Sequence, residues 1–192
     1  MDIDDGTLAV RAARSSIVAE TAGGSPELDL PALFDEKCGV FVTIKTYPQG
    51  NLRGCIGYPE PAFPLKDALV FSAQSACHDP RFMPLSKKEA DRCTVEVTVL
   101  SRPVLFEGSK DKLLRAIKIG RDGLIIEFGR RRGLLLPQVP LEWGWDAEEF
   151  MGQLSRKAGL PTDTWRLKDA TIFTFTGEIF HELTPNGEIV RG

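Results

Sequence analysis

Alternation of apolar and polar residues predicts a strand hairpin in the first third of the chain. Residues 39–46 repeat with the two-residue period of a half-buried strand. Turn-forming residues follow at 48–51, and residues 52–57 have the pattern of a return strand. In that return strand the alternation places Arg53 and Cys55 on one face. We predict that the rest of the chain is organised around this hairpin.

The return strand contains two glycines, Gly54 and Gly57. Glycine is a poor strand residue because it loses more backbone entropy on folding and has no side chain to pack. The pair therefore predicts a β-bulge, or a neighbour that comes close to the backbone.

Helical periodicity and capping residues predict the other elements of the first half. A helix is expected over about 5–21, where an aspartate can cap its start and a Gly-Gly pair ends it. A second helix is expected over 64–77, and Ser86 with Glu89 has the capping-box pattern of a short third helix. A strand over 93–100 follows, with its valines on one face.

The second half repeats this order of elements. Two helices and three strands are predicted at 110–119, 123–129, 132–136, 146–158 and 171–180. The chain thus predicts an α+β fold of duplicated β-β-α-α-β units packed around one core.

We expect a single domain over residues 1–192, with two internal repeats over about 39–101 and 123–181. The second repeat has Leu134 where the first has Cys55, so the reactive residues are concentrated in the first repeat.

Composition and charge narrow the classes of protein. The chain is 42% hydrophobic and 27% charged, as is usual for a soluble protein, and its net charge of -3 disfavours binding to nucleic acid. No apolar stretch approaches the length of a membrane span, and the acidic N-terminus is not typical of a targeting peptide. We expect a cytoplasmic protein with no membrane association.

The cysteine spacing argues against a metal centre. None of the four cysteines is part of a Cys-x-x-Cys pair, and the chain has two histidines. We therefore expect free thiols, no structural metal and no cofactor. The cysteines are Cys38, Cys55, Cys77 and Cys93.

The return strand resembles the signature hexapeptide of the AMMECR family. The resemblance rests on Leu52-Arg-Gly-Cys-Ile-Gly57 and on later blocks at Asp79-Pro-Arg-Phe82, Glu96-Val97, Leu136-Pro-Gln-Val139 and Lys157-Ala-Gly159. It implies repeated β-α units that share one curved, barrel-like mixed sheet flanked by helices. It implies no activity, although in prokaryotes the family is associated with a radical-SAM protein and a dioxygenase-like protein.

Arg53, Cys55 and Glu96 are the central candidate residues, and we expect them on one covered face of the sheet. Neither charge is stable alone in a protein interior, so we predict that Arg53 pairs with Glu96. In the catalytic interpretation Arg53 lowers the pKa of Cys55, and Glu96 or His78 moves a proton. In the structural interpretation Cys55 is a small buried residue, the ion pair is a packing element, and His78 caps a helix end.

Asp79 and Arg81 are expected at the edge of that face. They are candidate substrate-binding residues, or they fix their loop through turn hydrogen bonds and an ion pair.

Three functions stay open. The first is a thiol-dependent enzyme that acts on a small anionic substrate. The second is a scaffold that presents the same patch to a protein partner. The third is a nucleic-acid-binding regulator, which the net charge disfavours.

Overall fold

The computed structural model describes residues 1–192. Its α-helices are α1 (Ile3–Ala22), α2 (Leu65–Cys77), α3 (Lys87–Ala90), α4 (Lys110–Ala116), α5 (Val139–Trp143) and α6 (Ala147–Lys157). Short 3-10 helices cover Ala32–Asp35 and Thr164–Arg166. The strands are β1 (Gly39–Thr46), β2 (Leu52–Tyr58), β3 (Cys93–Leu100), β4 (Val104–Leu105), β5 (Asp122–Phe128), β6 (Arg131–Leu135), β7 (Thr171–Glu182) and β8 (Ile189–Arg191).

The chain divides into two compact units. The first unit contains residues 1–100 and 178–192, and the second contains residues 101–177. Strand β7 runs from the second unit into the first.

The first unit is built on the predicted hairpin. Strand β1 lies between β2 and β3 and is antiparallel to both. The valines of β1 and β3 share a buried face, as the alternation predicts. Helices α1 and α2 pack on this core with small residues, which allow close approach: Ala9, Ala12, Ala13, Ala68, Ala73 and Ala76.

A buried ion pair joins α1 to the sheet of the first unit. The Arg14 side chain is 6% exposed and that of Glu182 is fully buried. Arg14 donates through Nε and Nη2 to the two carboxylate oxygens of Glu182, with the Nε bond at 3.1 Å. It also donates to two backbone carbonyls, Ala90 O at 2.9 Å and Cys93 O at 2.6 Å. Glu182 accepts a further bond from Val95 N at 3.1 Å, so both charges are well satisfied.

Both motif glycines are explained by close backbone neighbours. A Cβ on Gly54 would lie 2.3 Å from the carbonyl oxygen of Ala76, near the end of α2. A Cβ on Gly57 would lie 2.3 Å from Val40 O. The strand also contains a bulge: Ile44 is opposite Gly54 but Lys45 is opposite Leu52. Both features that the glycines predict are therefore present.

The second unit has the hairpin β5–β6, with β5 also paired to the N-terminal half of β7. Strand β4 pairs with β7 at Phe173 and Thr174. The core contains Phe150 and Leu154 of α6, together with Trp165. A Cβ on Gly133 would lie 2.7 Å from Ala158 N at the end of α6.

The α+β class is confirmed. One detail needs correction: β1 is antiparallel to β2 and β3, β5 to β6 and β7, and β7 to β4 and β8, whereas a mixed sheet was expected. The duplication stays a prediction, and the matching strand orders β2-β1-β3 and β6-β5-β7 support it. No helix of the chain has the length and apolar character that a membrane span needs.

We expect that Arg14→Met lowers the free energy of unfolding by about 3–5 kcal/mol, because it leaves the Glu182 carboxylate buried without its partner. Urea denaturation measures the change. Arg11→Met is the matched control on the same helix: Arg11 is 44% exposed and lies 3.9 Å from the same carboxylate. Its expected cost is about 1 kcal/mol or less. The double variant Arg14→Met with Glu182→Leu should recover part of the loss, and equal losses for the two arginine variants would contradict this account.

We expect that Gly54→Ala destabilises the protein by about 1–3 kcal/mol, because the added methyl group overlaps a backbone carbonyl that cannot move alone. Gly24→Ala is the control, since the nearest atom to its added Cβ is Ala19 O at 4.0 Å. Thermal unfolding of both variants tests the difference, and a Gly54→Ala protein as stable as the control would disprove the close contact.

Candidate functional site

Arg53 is the extra residue of the β2 bulge, and its side chain is 12% exposed. Nη2 donates to Met83 O at 2.9 Å and contacts Glu89 Oε1 at 3.3 Å. The guanidinium carbon also lies 5.7 Å from the ring centroid of Phe82. The bulge thus turns Arg53 toward the segment that connects α2 and α3.

The predicted ion pair between Arg53 and Glu96 is wrong. Arg53 pairs with Glu89, and Glu96 pairs with Lys45 at 2.7 Å. The physical reason is the bulge, which interrupts the alternation on which the prediction was based and re-aims the arginine. Lys45 is a diagonal neighbour of Glu96 across β1 and β3, a common geometry for opposite charges.

Cys55 and Glu96 do share a face of the sheet, as expected. Thr43 of β1 is opposite Cys55 in β2 and opposite Glu96 in β3. Thr43 Oγ1 lies 3.3 Å from Cys55 Sγ and can donate to it. The backbones of Cys55 and Glu96 are two strand spacings apart, or about 10 Å, so a threonine separates the thiol from the carboxylate.

Burial raises the pKa of the Cys55 thiol above its ordinary value. The Thr43 hydrogen bond and the positive charge of Arg81 lower it, but the nearby carboxylates of Glu96 and Asp79 raise it further. The expectation that Arg53 lowers the pKa of Cys55 is wrong. The nearby cation is Arg81, and the effect of burial outweighs the effect of its charge.

Asp79 and Arg81 hold the backbone of Cys55. The buried Asp79 carboxylate accepts from Cys55 N at 2.9 Å, and Arg81 Nη2 lies 3.4 Å from Cys55 O. Arg81 also donates to Asp79 from Nε at 3.0 Å and from Nη2 at 2.6 Å. The side-chain bonds from Arg81, together with the backbone N–H bonds from Cys55 and Arg81, hold the pKa of Asp79 far below its usual range. This geometry matches the expected loop-fixing ion pair, and substrate binding by these residues stays a prediction.

His78 lies apart from the thiol. Its Nε2 is 2.8 Å from Glu20 Oε1, its side chain is 55% exposed, and no hydrogen bond joins it to Cys55. The structure therefore distributes the candidate residues over three places: Arg53 with Glu89, the row of Cys55, Thr43 and Glu96, and His78 with Glu20. Their catalytic roles stay predictions.

A pocket of about 370 Å³ lies beside Arg53, and we call it the Arg53 pocket. It is lined by Thr46, Tyr47, Arg53, Ser86, Lys88, Glu89, Arg92 and Cys93. The exposed side chains of Lys88 and Arg92 form no ion pair. Two polar atoms of lining residues, Arg53 Nη1 and Thr46 Oγ1, are shielded from solvent and have no hydrogen-bond partner. Unsatisfied buried donors are uncommon and call for an explanation.

Sequence reasoning missed this pocket. The available signal was the presence of two cationic residues, Lys88 and Arg92, on either side of the capping-box glutamate. No three His, Cys, Asp or Glu side chains come together in a way that would hold a metal ion.

Three consecutive arginines, Arg130, Arg131 and Arg132, form a basic run in the second unit. Arg132 pairs with Glu127 at 2.9 Å, and Arg131 donates to the carbonyl of Gly159. The Glu127 carboxylate offsets the charge of Arg132 and so reduces the charge that the run offers to nucleic acid.

We expect Cys55 to react with iodoacetamide more slowly than glutathione at pH 7.5, because a raised pKa leaves less thiolate. The rate should rise as the pH increases beyond the ordinary thiol range. Peptide mapping by mass spectrometry measures each cysteine, and the protein unfolded in urea supplies the reference rate. Alkylation of folded Cys55 faster than that of glutathione would show an activated thiol.

Comparison with known proteins agrees with the fold and with the motif-based resemblance. The AMMECR1 family model matches residues 10–180. Protein MJ0810 of Methanocaldococcus jannaschii is 49% identical, over all of this chain and 96% of the relative. A protein of Aquifex aeolicus is 48% identical over 86% of this chain and 87% of its own length.

The crystal structure of uncharacterized protein PH0010 from Pyrococcus horikoshii matches with a TM-score of 0.85 and 47% identity, covering 100% of this chain and 98% of that one. The family model covers well over half of the chain, and relatives near 49% identity extend over nearly all of it. The chain therefore belongs to the AMMECR1 family.

Proposed function

We propose that the first unit binds a small anionic ligand in the Arg53 pocket. The observation that carries this proposal is Arg53, which lines the pocket, whose side chain is 12% exposed and whose contacts with the Glu89 carboxylate are 3.3 Å long. An arginine whose carboxylate partner lies at this longer distance keeps charge that suits it to a carboxylate or phosphate group.

The charges around the pocket support an anion. Three cationic residues line it, Arg53, Lys88 and Arg92, against the single carboxylate of Glu89. The pocket volume of about 370 Å³ is at the lower end of the range for small-molecule sites. Tyr47 contributes an aromatic side chain beside these charges, which suits a ligand with an apolar part.

Binding is better supported than thiol catalysis. Cys55, Glu96 and His78 are not among the residues that line the Arg53 pocket. Burial also raises the pKa of Cys55, which lowers its fraction of reactive thiolate at neutral pH. A ligand in the pocket would therefore meet cations and hydroxyl groups rather than the Cys55 thiol.

Partner binding is the second candidate. It is favoured by an edge-to-face cluster of Tyr58, Phe63 and Phe71, in which Phe63 is 37% and Phe71 40% exposed. Exposed aromatic clusters are typical of protein contacts.

Titration of ¹⁵N-labelled protein with inorganic phosphate, sulfate and acetate tests the proposal. We expect saturable shifts at the backbone amides of the residues that line the Arg53 pocket. Lys88→Ala should weaken sulfate binding by about fivefold, because it removes one exposed positive charge from the pocket.

Lys87→Ala is the matched control, since Lys87 is an exposed neighbour on the same helix that does not line the pocket. Its sulfate affinity should match that of the wild type. Amide chemical-shift changes confined to cationic residues outside the pocket would reject the proposal. Equal effects of the two lysine variants on sulfate affinity would reject it as well.

A further inference from the structure

We infer that Glu89 is an internal competitor for Arg53, and that the Arg53 pocket takes a doubly charged, phosphate-type group whose affinity Glu89 sets. The inference rests on the proposed function and names the ligand class and the residue that determines it.

The Glu89 carboxylate is fixed by the start of α3. Its Oε2 accepts from Ser86 N at 3.0 Å and from Ser86 Oγ at 2.8 Å, and the backbone N–H of Glu89 donates to Ser86 Oγ. These reciprocal bonds form a complete capping box. The Ser86 bonds also hold the pKa of Glu89 below its ordinary value, so the carboxylate is charged at neutral pH.

Arg53 meets this carboxylate at a longer distance. Its Nε and Nη2 lie 3.3 Å from Glu89 Oε1, whereas a strong charge-assisted bond is about 2.7–2.9 Å. Ser86 therefore decides where the carboxylate lies, and Arg53 is only partly neutralised by it. The Nη1 donor is left unpaired.

The charge count selects the ligand class. Arg53, Lys88 and Arg92 against Glu89 leave a net charge of +2 around the pocket, since 3 − 1 = 2. A dianion such as sulfate or a phosphate monoester interacts with this field about twice as strongly as a monoanion such as acetate. Glu89 repels both, and it repels the dianion about twice as strongly.

The substitution Glu89→Gln tests this, because glutamine can replace glutamate in a capping box and so preserves α3. We expect acetate affinity to rise by about fivefold and sulfate affinity by about 25-fold, the square of that factor. The matched control is Glu149→Gln: Glu149 has the same third helical position in α6, behind the capping residue Asp146. This control should leave both affinities unchanged.

Lys88→Gln is a second variant, which removes a positive charge and so should change anion affinity in the opposite direction. It should lower the affinity for both anions, and the factor for sulfate should again be the square of the factor for acetate. Isothermal titration at constant ionic strength measures all four proteins, and thermal unfolding confirms that each is folded.

The outcomes separate the two proposals. If wild-type protein binds sulfate and Glu89→Gln leaves the affinities unchanged or shifts them equally, the inference is overturned and the proposed function stands. Binding by Glu89→Gln alone would mean that Glu89 excludes anions from the natural pocket, which would overturn both the proposed function and the ligand class inferred from it. If neither protein binds, both are overturned.

Discussion

The first unit depends on one buried ion pair, between Arg14 and Glu182. Burial removes both groups from water, which costs several kcal/mol for each ion unless partners replace the lost hydration. The structure supplies those partners from three elements, because Arg14 also binds the last carbonyl of α3 and the first carbonyl of β3. Helices α1 and α3 and strands β3 and β7 are thereby held to one point.

This anchor also affects the pocket. Helix α3 contains Lys88 and Glu89 and ends at Ala90, whose carbonyl accepts from Arg14. At its other end the capping box with Ser86 fixes Glu89. A four-residue helix has little stability of its own, so its position is set by these two side-chain contacts. The charge pattern around Arg53 thus relies on a residue from a different part of the sequence.

Much of the fold was predictable because its signals are local. Alternation located the hairpin and β3, and capping residues located α3 and α6, within a few residues of their observed bounds. Arg53 was assigned the wrong partner because a bulge shifts the register at a single position, and no alternation rule says which residue is extra. The roles of Asp79 and Glu182 depend on residues 24 and 168 positions away, contacts that no local pattern encodes. Prediction of the Arg53 pocket meets both difficulties, because the pocket is formed only when the bulge turns Arg53 and α3 is placed beside it.

The contacts of Asp79 and Arg81 with the Cys55 backbone have a consequence for association between chains. Strand β2 is at one end of the strand order, and a free sheet edge is a template on which another strand can add. At Cys55 the amide N–H is bound by Asp79, and Arg81 lies beside the carbonyl oxygen. The side chains of one loop thus imitate the hydrogen bonds of a neighbouring strand. The pair Asp79–Arg81 consequently occupies, at the centre of β2, backbone groups that an added strand would need for pairing.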